Sequence, residues 1–355
     1  MSNQVPKRLG KGMGKRVGIK DVAAAAGVSV TTVSHILNAV EGKRVNPDTR
    51  QRVLETATRL GYAPNDLARG LRLRRSNTIG FVSDEIATTP FAGRIILGAQ
   101  EAAAQRGLLL LMLNTGGDVE LERKEIELLL QRQVDGVLYA AMSHRVVPVP
   151  EGLRAVPTVL LDARSTDVSV PSVVPDEVRG GYTAIRALLD RGHRRIGFVN
   201  NVEDIPATHG RLGGYRQALA DAGLVADPGM VVADMCDTAG GYRAARRILQ
   251  RSPRPTGVFC FNDRMAMGAY RAAAELGLAI PADLSVVGFD NQELICDGVF
   301  PGLTTVALPH YEMGARAVEL LLALTETPGR SGPVAHELLP CPLVVRASVA
   351  SPPRL

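Results

Sequence analysis

"IKDVAAAAGVSVTTVSHILN", Ile19 to Asn38, decides how the first part of this 355-residue chain is read. Ile19 to Ala26 is alanine-rich with apolar positions spaced for a short helix, and Gly27 can take positive φ where that helix stops. Ser29 can cap a second helix, in which Val33, Ile36 and Leu37 fall at i, i+3 and i+4 and point one way. Helical stepping of about 100° per residue puts Thr31, His35 and Asn38 on the opposite side, with Val30 and Ser34 on the flanks. A soluble helix would normally carry Lys and Glu there. "NPDTRQRVLETATRLGY", Asn46 to Tyr62, signals a third helix: Asn46 caps, Pro47 opens, Val53, Leu54, Ala57 and Leu60 make the apolar stripe, and Gly61 ends it.

Two short helices joined by a tight glycine turn and closed by a third are the layout of a helix-turn-helix unit, whose second helix enters the major groove by its N-terminal end. Small polar and apolar side chains let that helix approach base edges, where hydroxyls, methyls and imidazole nitrogens read donors, acceptors and the thymine methyl. Long cations belong on phosphates, a role expected for Lys20, Arg44, Arg50 and Arg52.

The charge distribution agrees. Residues 1–75 hold 15 Lys and Arg against 5 Asp and Glu, out of 41 and 36 in the chain, which leaves 26 against 31 for the other 280 residues. A basic head on a mildly acidic body is the pattern of a segment facing a polyanion. No run reaches the roughly 18 to 20 apolar residues of a membrane span, and the basic N-terminus lacks the apolar core of a secretory signal, so a cytoplasmic protein without membrane partners is expected. Cys236, Cys260, Cys296 and Cys341 are far apart and follow no ligand spacing, so neither a metal site nor a disulfide framework is expected.

From Thr78 onward, short β-branched runs alternate with amphipathic stretches, and the series restarts near "PSVVPDEVRGGYTAIRALLDRGHRRIGFVNN". Near-continuous apolar strands flanked by helices mean parallel sheets covered on both faces, here two doubly wound α/β lobes. Ligands of such sheets sit beyond the carboxyl ends of the strands, and between two lobes that place becomes a closable cleft. Asp84, Asn262, Asp263, Asp290 and Asn291 fall at those ends, with Phe91 and Arg211 just after, a set suited to a hydroxyl-bearing small molecule. The alternative for Arg211 and Asp290 is a structural ion pair across the cleft. No nucleophile elbow or phosphate-binding loop occurs, and His144, His193, His209, His310 and His336 have no paired nucleophile, so neither an enzyme nor a cofactor is expected. The glycine cluster of "GRLGGYRQAL" starts a helix after a long loop and is weak evidence for a nucleotide site.

The head motif, followed by "VNPDTRQRVLETATRLGYAPNDLARGLR", closely resembles the DNA-binding end of the LacI/GalR repressor family, and the body resembles the periplasmic-binding-protein-like core of the same repressors. The resemblance implies base contacts at Val30, Thr31 and His35, and a DNA-facing set of Lys20, Ser29, Val30, Thr31, Thr32, Ser34, His35, Asn38 and Tyr62. It further implies a hinge helix from Asn65 to Arg72 that forms in the minor groove, with Leu71 as an apolar wedge flanked by Arg69 and Arg72. In the core it assigns effector contact to Arg211, Asn262 and Asp290, and ligand packing to Phe91; Cys236 stands where relatives often carry an aromatic. Asp84 and Asp263 complete the expected effector set.

The expected organisation is a basic tail over 1–17, the head over 18–64, a hinge over 65–75 and the core over 76–355. Within the core the first lobe is expected over 76–163 and 307–327, and the second over 164–306 and 328–346. The expected activity is that of a homodimeric repressor on a pseudo-palindromic operator of double-stranded DNA, controlled by a small-molecule effector, sugar-like or another metabolite. A transport-type binding protein and a regulator answering to a protein partner are the alternatives.

Overall fold

The structure, a computed structural model, describes residues 17–37, 45–62, 75–89, 93–326 and 334–353. Contacts divide the chain into two units, Met1–Arg74 and Arg75–Leu355.

In the first unit α1 (Ile19–Ala26), α2 (Val30–Leu37) and α3 (Pro47–Arg59) enclose a small core of Val22, Ala23, Ala26, Val33, Ile36, Val53 and Ala57. Gly27 closes α1 in the left-handed region at φ 67°, and Val28 N–H returns to the Ala23 carbonyl, which makes the turn into α2 tight. Ser29 Oγ accepts the Thr32 amide at 3.0 Å and caps α2, while Asn46 accepts from the Asp48 amide at 2.9 Å at the head of α3.

The second unit holds, among the described residues, two six-stranded sheets. The first runs β11 (His336–Leu339), β5 (Ser172–Pro175), β4 (Thr158–Arg164), β3 (Gly136–Val146), β1 (Thr78–Ser83), β2 (Leu109–Asn114). The second runs β12 (Leu343–Val344), β10 (Thr304–Ala307), β9 (Ser285–Asp290), β8 (Gly257–Cys260), β6 (Ile196–Asn201), β7 (Val231–Asp234). Neighbouring strands are parallel except β10 and β12. The central strands are apolar and buried, with Phe81, Leu138 and Val159 in one lobe and Phe198, Phe259 and Phe289 in the other.

This topology corrects the lobe boundaries read from sequence. Ser172 pairs with Leu160 and with His336, so β5 and β11 belong to the first lobe, although 164–175 and 336–339 had been placed in the second. The chain therefore passes between lobes after Pro175, after Ala307 and after Leu339. The run "PSVVP" reads as the opening strand of a new series because burial on both faces is the same in either sheet; only hydrogen-bonded register distinguishes them.

Candidate nucleic-acid interface and effector cleft

On α2 the side turned from the core presents exposed Val30 and Thr31, with Ser34 and His35 half-buried, and Lys20 on α1 is exposed. Ser29 and Thr32 are tied to each other, their hydroxyls 2.9 Å apart, so both are first of all cap residues. Tyr62 is half-buried against the three-helix core. Arg52 departs from its expected phosphate role, since its Nε donates to the Ala26 carbonyl at 3.0 Å and ties α3 to the end of α1. Arg44, Asn38, Asn65, Arg69, Leu71 and Arg72 lie outside the described residues, as does Phe91 in the core.

In the core, α6 (Glu177–Leu189) and α7 (Pro206–Asp221) follow β5 and β6 and press closely together. The glycine cluster makes that possible: a Cβ on Gly210 would lie 2.5 Å from the Glu177 Cβ, and one on Gly214 would lie 2.2 Å from the Val178 carbonyl oxygen. The approach sets Arg211 beside Glu177, Nε to Oε2 at 2.7 Å, with both side chains only 4% exposed. Arg211 Nη1 also donates to the Phe261 carbonyl, and the guanidinium lies 3.7 Å from the Phe289 ring centroid and 4.3 Å from that of Phe261. Its distance to Asp290 Oδ1 is 3.6 Å. Arg211 and Asp290 stand on α7 and β9 of the same lobe, so their pairing lies within the second lobe and not across the cleft.

Asp290 and Asn291 take left-handed backbone conformations, φ 102° and 56°, and so does Asp162 in the first lobe at φ 51°. Left-handed conformations in non-glycine residues at strand ends are costly and gather at functional sites. Asp162 is buried and one of its oxygens, Oδ1, has no hydrogen-bond partner among the described residues. Burial, reinforced by Glu177, Asp290 and Asp84, pushes its carboxyl well above the usual carboxylate range. Burial likewise raises Asp290, opposed by Arg211. His144, on β3, is buried, and among the described residues neither ring nitrogen is hydrogen-bonded; burial, with Arg164 and Arg211 nearby, lowers it to about 4. Neither Asp162 nor His144 was among the residues read as effector contacts. The signal that finds them is a polar side chain without a partner in a buried place, which no sequence pattern carries.

Other expected contacts are spent elsewhere. Asn262 caps α9 (Asp263–Glu275), its Oδ1 accepting the Met265 amide at 2.8 Å while Nδ2 donates to the Cys236 carbonyl at 3.0 Å. Asp263 is fully buried, with Oδ1 accepting from Thr305 Oγ1 at 2.6 Å and Oδ2 from the Gln292 amide at 2.7 Å, so it faces the β-sheet and not the cleft. Asp84 accepts from the Glu85 amide at 2.7 Å and the Met142 amide at 3.2 Å, bracing β1 against β3. Cys236 is half-buried after β7. A cavity of about 480 Å³ opens beside Asp290 where the chain crosses between lobes, lined by Arg94, Asn291, Leu308, His310 and Pro340. That volume suits a small metabolite. Among the described residues no His, Cys, Asp and Glu cluster could hold a metal ion, and no helix is long and apolar enough to cross a membrane.

A three-helix head with a bare reading helix, joined to a two-lobed core with a polar cleft, defines a DNA-binding protein that also holds a small-molecule site. Residues 18–65 match the model for bacterial regulatory proteins of the lacI family, and residues 185–349 match that for a periplasmic binding protein-like domain. The chain is 34% identical to the ribose operon repressor of Haemophilus influenzae, covering 88% of this chain and 93% of that one. It is 34% identical to the transcriptional repressor CytR of Escherichia coli, covering 94% and 97%. Among solved structures, the lac repressor dimer bound to operator and the anti-inducer ONPF superposes with a TM-score of 0.76 at 27% identity, over 95% of this chain and all of that one. A regulator from Enterococcus faecium with bound ribose gives 0.64 at 29%, over 77% and 99%. The chain belongs to the lacI family, and it is a DNA-binding transcriptional regulator.

Proposed function

We propose that the protein represses transcription as a homodimer in which two heads read a pseudo-palindromic operator, Val30, Thr31 and His35 meeting base edges and Lys20 a phosphate. A two-fold protein selects two-fold DNA. The observation that carries this reading is α2 itself: Val33 and Ile36 anchor one side in the core while the other side shows Val30 and Thr31 with no Lys, Arg, Asp or Glu. Leu71, between Arg69 and Arg72, supplies the minor-groove wedge in this reading, and a metabolite in the cleft near Arg211, Asp290 and Cys236 shifts the lobes and with them operator affinity.

The test is a gel shift of the full chain on DNA upstream of its own gene. Specific binding should fall steeply as salt rises, and Thr31→Ala should weaken operator binding while leaving random-sequence DNA unaffected. Leu71→Ala should do the same. Equal losses on both DNAs would reject base reading and the wedge.

A further inference from the structure

Asp290 to Glu293, the last residue of β9 and the three that follow it, are each tied to a different part of the core. Asp290 and Asn291 stand in succession in the left-handed region, at φ 102° and 56°, against the preference of both residues. Such a pair persists only where its surroundings over-determine it. Asp290 lines the cavity, and its Oδ2 accepts from Gln292 Nε2 at 2.9 Å. Asn291 Oδ1 accepts from Arg346 Nη1 at 3.0 Å. The Gln292 amide donates to buried Asp263 Oδ2 at 2.7 Å, which anchors the turn in the interior of the second lobe. Glu293 opens α10 (Glu293–Cys296) and reaches across the seam. Its Oε1 accepts at 2.9 Å from Nη1 of Arg94, near the head of α4 (Gly93–Gln105) in the first lobe.

Arg346 is the outer anchor of this turn. It follows β12, its amide donates to Thr304 Oγ1 at 2.9 Å, and its side chain is 17% exposed. One guanidinium answers three oxygens on separate stretches of chain: Nε donates to Asp297 Oδ1 at 2.7 Å, and Nη1 to Asn291 Oδ1 at 3.0 Å and to the Leu303 carbonyl at 3.2 Å. A planar fork of donors can do this, whereas a lysine ammonium is a single point of charge. Without it Asn291 keeps its costly backbone and loses the bond that holds it there. We infer that Arg346, which is not among the described residues lining the cavity, is a positioning residue: through Asn291 it holds Asp290 in the cavity wall and Glu293 against the first lobe, so that one turn carries both the effector contact and a contact between lobes. The effector contact rests on the proposed function of Asp290; the lobe contact rests on the Arg94 bridge alone.

The experiment compares the full chain with Arg346→Gln, Glu293→Gln and the double variant, without ligand, by hydrogen–deuterium exchange and by carbodiimide labelling of carboxyl groups, both read by mass spectrometry. Arg346→Gln removes hydrogen bonds from a charged donor and should speed exchange over residues 292–299 by roughly tenfold. It should also raise the labelling of Asp290, whose side chain is now only 7% exposed. In the first lobe it should speed exchange at residues 97–100 of α4 by about two- to fivefold, a modest factor because both side chains of the Arg94–Glu293 pair are 63% exposed. Glu293→Gln should give the same change in α4 while leaving residues 295–299 and the labelling of Asp290 as they were. The double variant should add nothing at α4 to Arg346→Gln, since both substitutions remove one bridge.

Unchanged exchange over residues 292–299, unchanged labelling of Asp290, or a loosened turn that leaves α4 as it was would overturn the inference. Acceleration spread equally over the second lobe, α7 included, is a general loss of stability and overturns it as well. A gel shift of the unsubstituted chain run alongside separates this from the broader reading. Salt-sensitive operator binding beside a failed exchange result removes the role of Arg346 and keeps the regulator, whereas absence of such binding removes the regulator and leaves the positioning of the turn standing.

Discussion

Glu177 and Arg211 form a buried ion pair between the N-terminus of α6 and the second turn of α7, Oε2 to Nε at 2.7 Å, and the guanidinium is further clasped by the Phe289 and Phe261 rings. Removing one partner of such a pair leaves an uncompensated charge out of water. Glu177→Ala should therefore destabilise the core by about 3 kcal/mol or more, measured by urea unfolding of the full chain. Replacing both residues with apolar ones of similar volume should recover most of that stability while abolishing the effector response. A single substitution that leaves the midpoint unchanged would mean that the pair is not buried in solution.

The same pair depends on close helix packing. Gly214→Ala places a methyl 2.2 Å from the Val178 carbonyl oxygen and 2.4 Å from the Tyr182 amide nitrogen, both backbone atoms. The helices must separate, and the expected cost is about 2 to 3 kcal/mol. Effector affinity should drop with it, since Arg211 is carried away from Glu177. Gly213→Ala, where a Cβ meets nothing within 4 Å, is the matched control and should be neutral in both measurements.

In the head, cap and reading roles are separable. Ser29→Ala removes the acceptor for the Thr32 amide and should cost α2 about 1 kcal/mol, seen as faster amide exchange in residues 30–37 together with weaker operator binding. Thr31→Ala should weaken operator binding with exchange unchanged. If Thr31→Ala also loosened the helix, its effect on DNA would be structural.

Two buried histidines give the core a pH dependence of definite sign. Burial lowers both His144 and His310 to about 4, with Arg211 acting on each and Arg164 or Arg94 adding to it. Each folded-state value lies below the ordinary one, so between about pH 6.5 and 4 the unfolded chain binds more protons and stability falls as the solution is acidified. The contribution is fully present above about pH 6.5. The linkage is worth up to about 3 kcal/mol for each histidine. Buried Asp162 works in the opposite sense: its raised value favours the folded state below the ordinary aspartate range and withdraws that contribution as pH rises through the folded value. His144→Gln should flatten the acid limb of a stability–pH curve measured by urea midpoint, and a curve of unchanged slope would reject the assignment.

The head was legible from sequence almost residue by residue, because its determinants are local. Gly27 at positive φ, the Ser29 cap, Pro47 at the start of α3 and the spacing of Val33 and Ile36 act within a few residues, where propensity and periodicity decide the outcome. The alternation of strands and helices in the core was legible for the same reason. Which sheet received β5 and β11 was not, since a strand buried on both faces carries the same composition in either sheet, and its partner is set by register with residues far along the chain. The cleft followed the same division. Asp290, read from its strand end, lies beside the cavity, but hydrogen bonds from Thr305, Gln292 and Met265 drew Asp263 and Asn262 into the scaffold, while Asp162 Oδ1, both ring nitrogens of His144 and Arg164 Nε were left without hydrogen-bond partners among the described residues. Sequence determined which residues could bear charge and which helices and strands would form. Tertiary structure decided which of those charges were already answered, because pairing depends on distances between segments that only packing brings together.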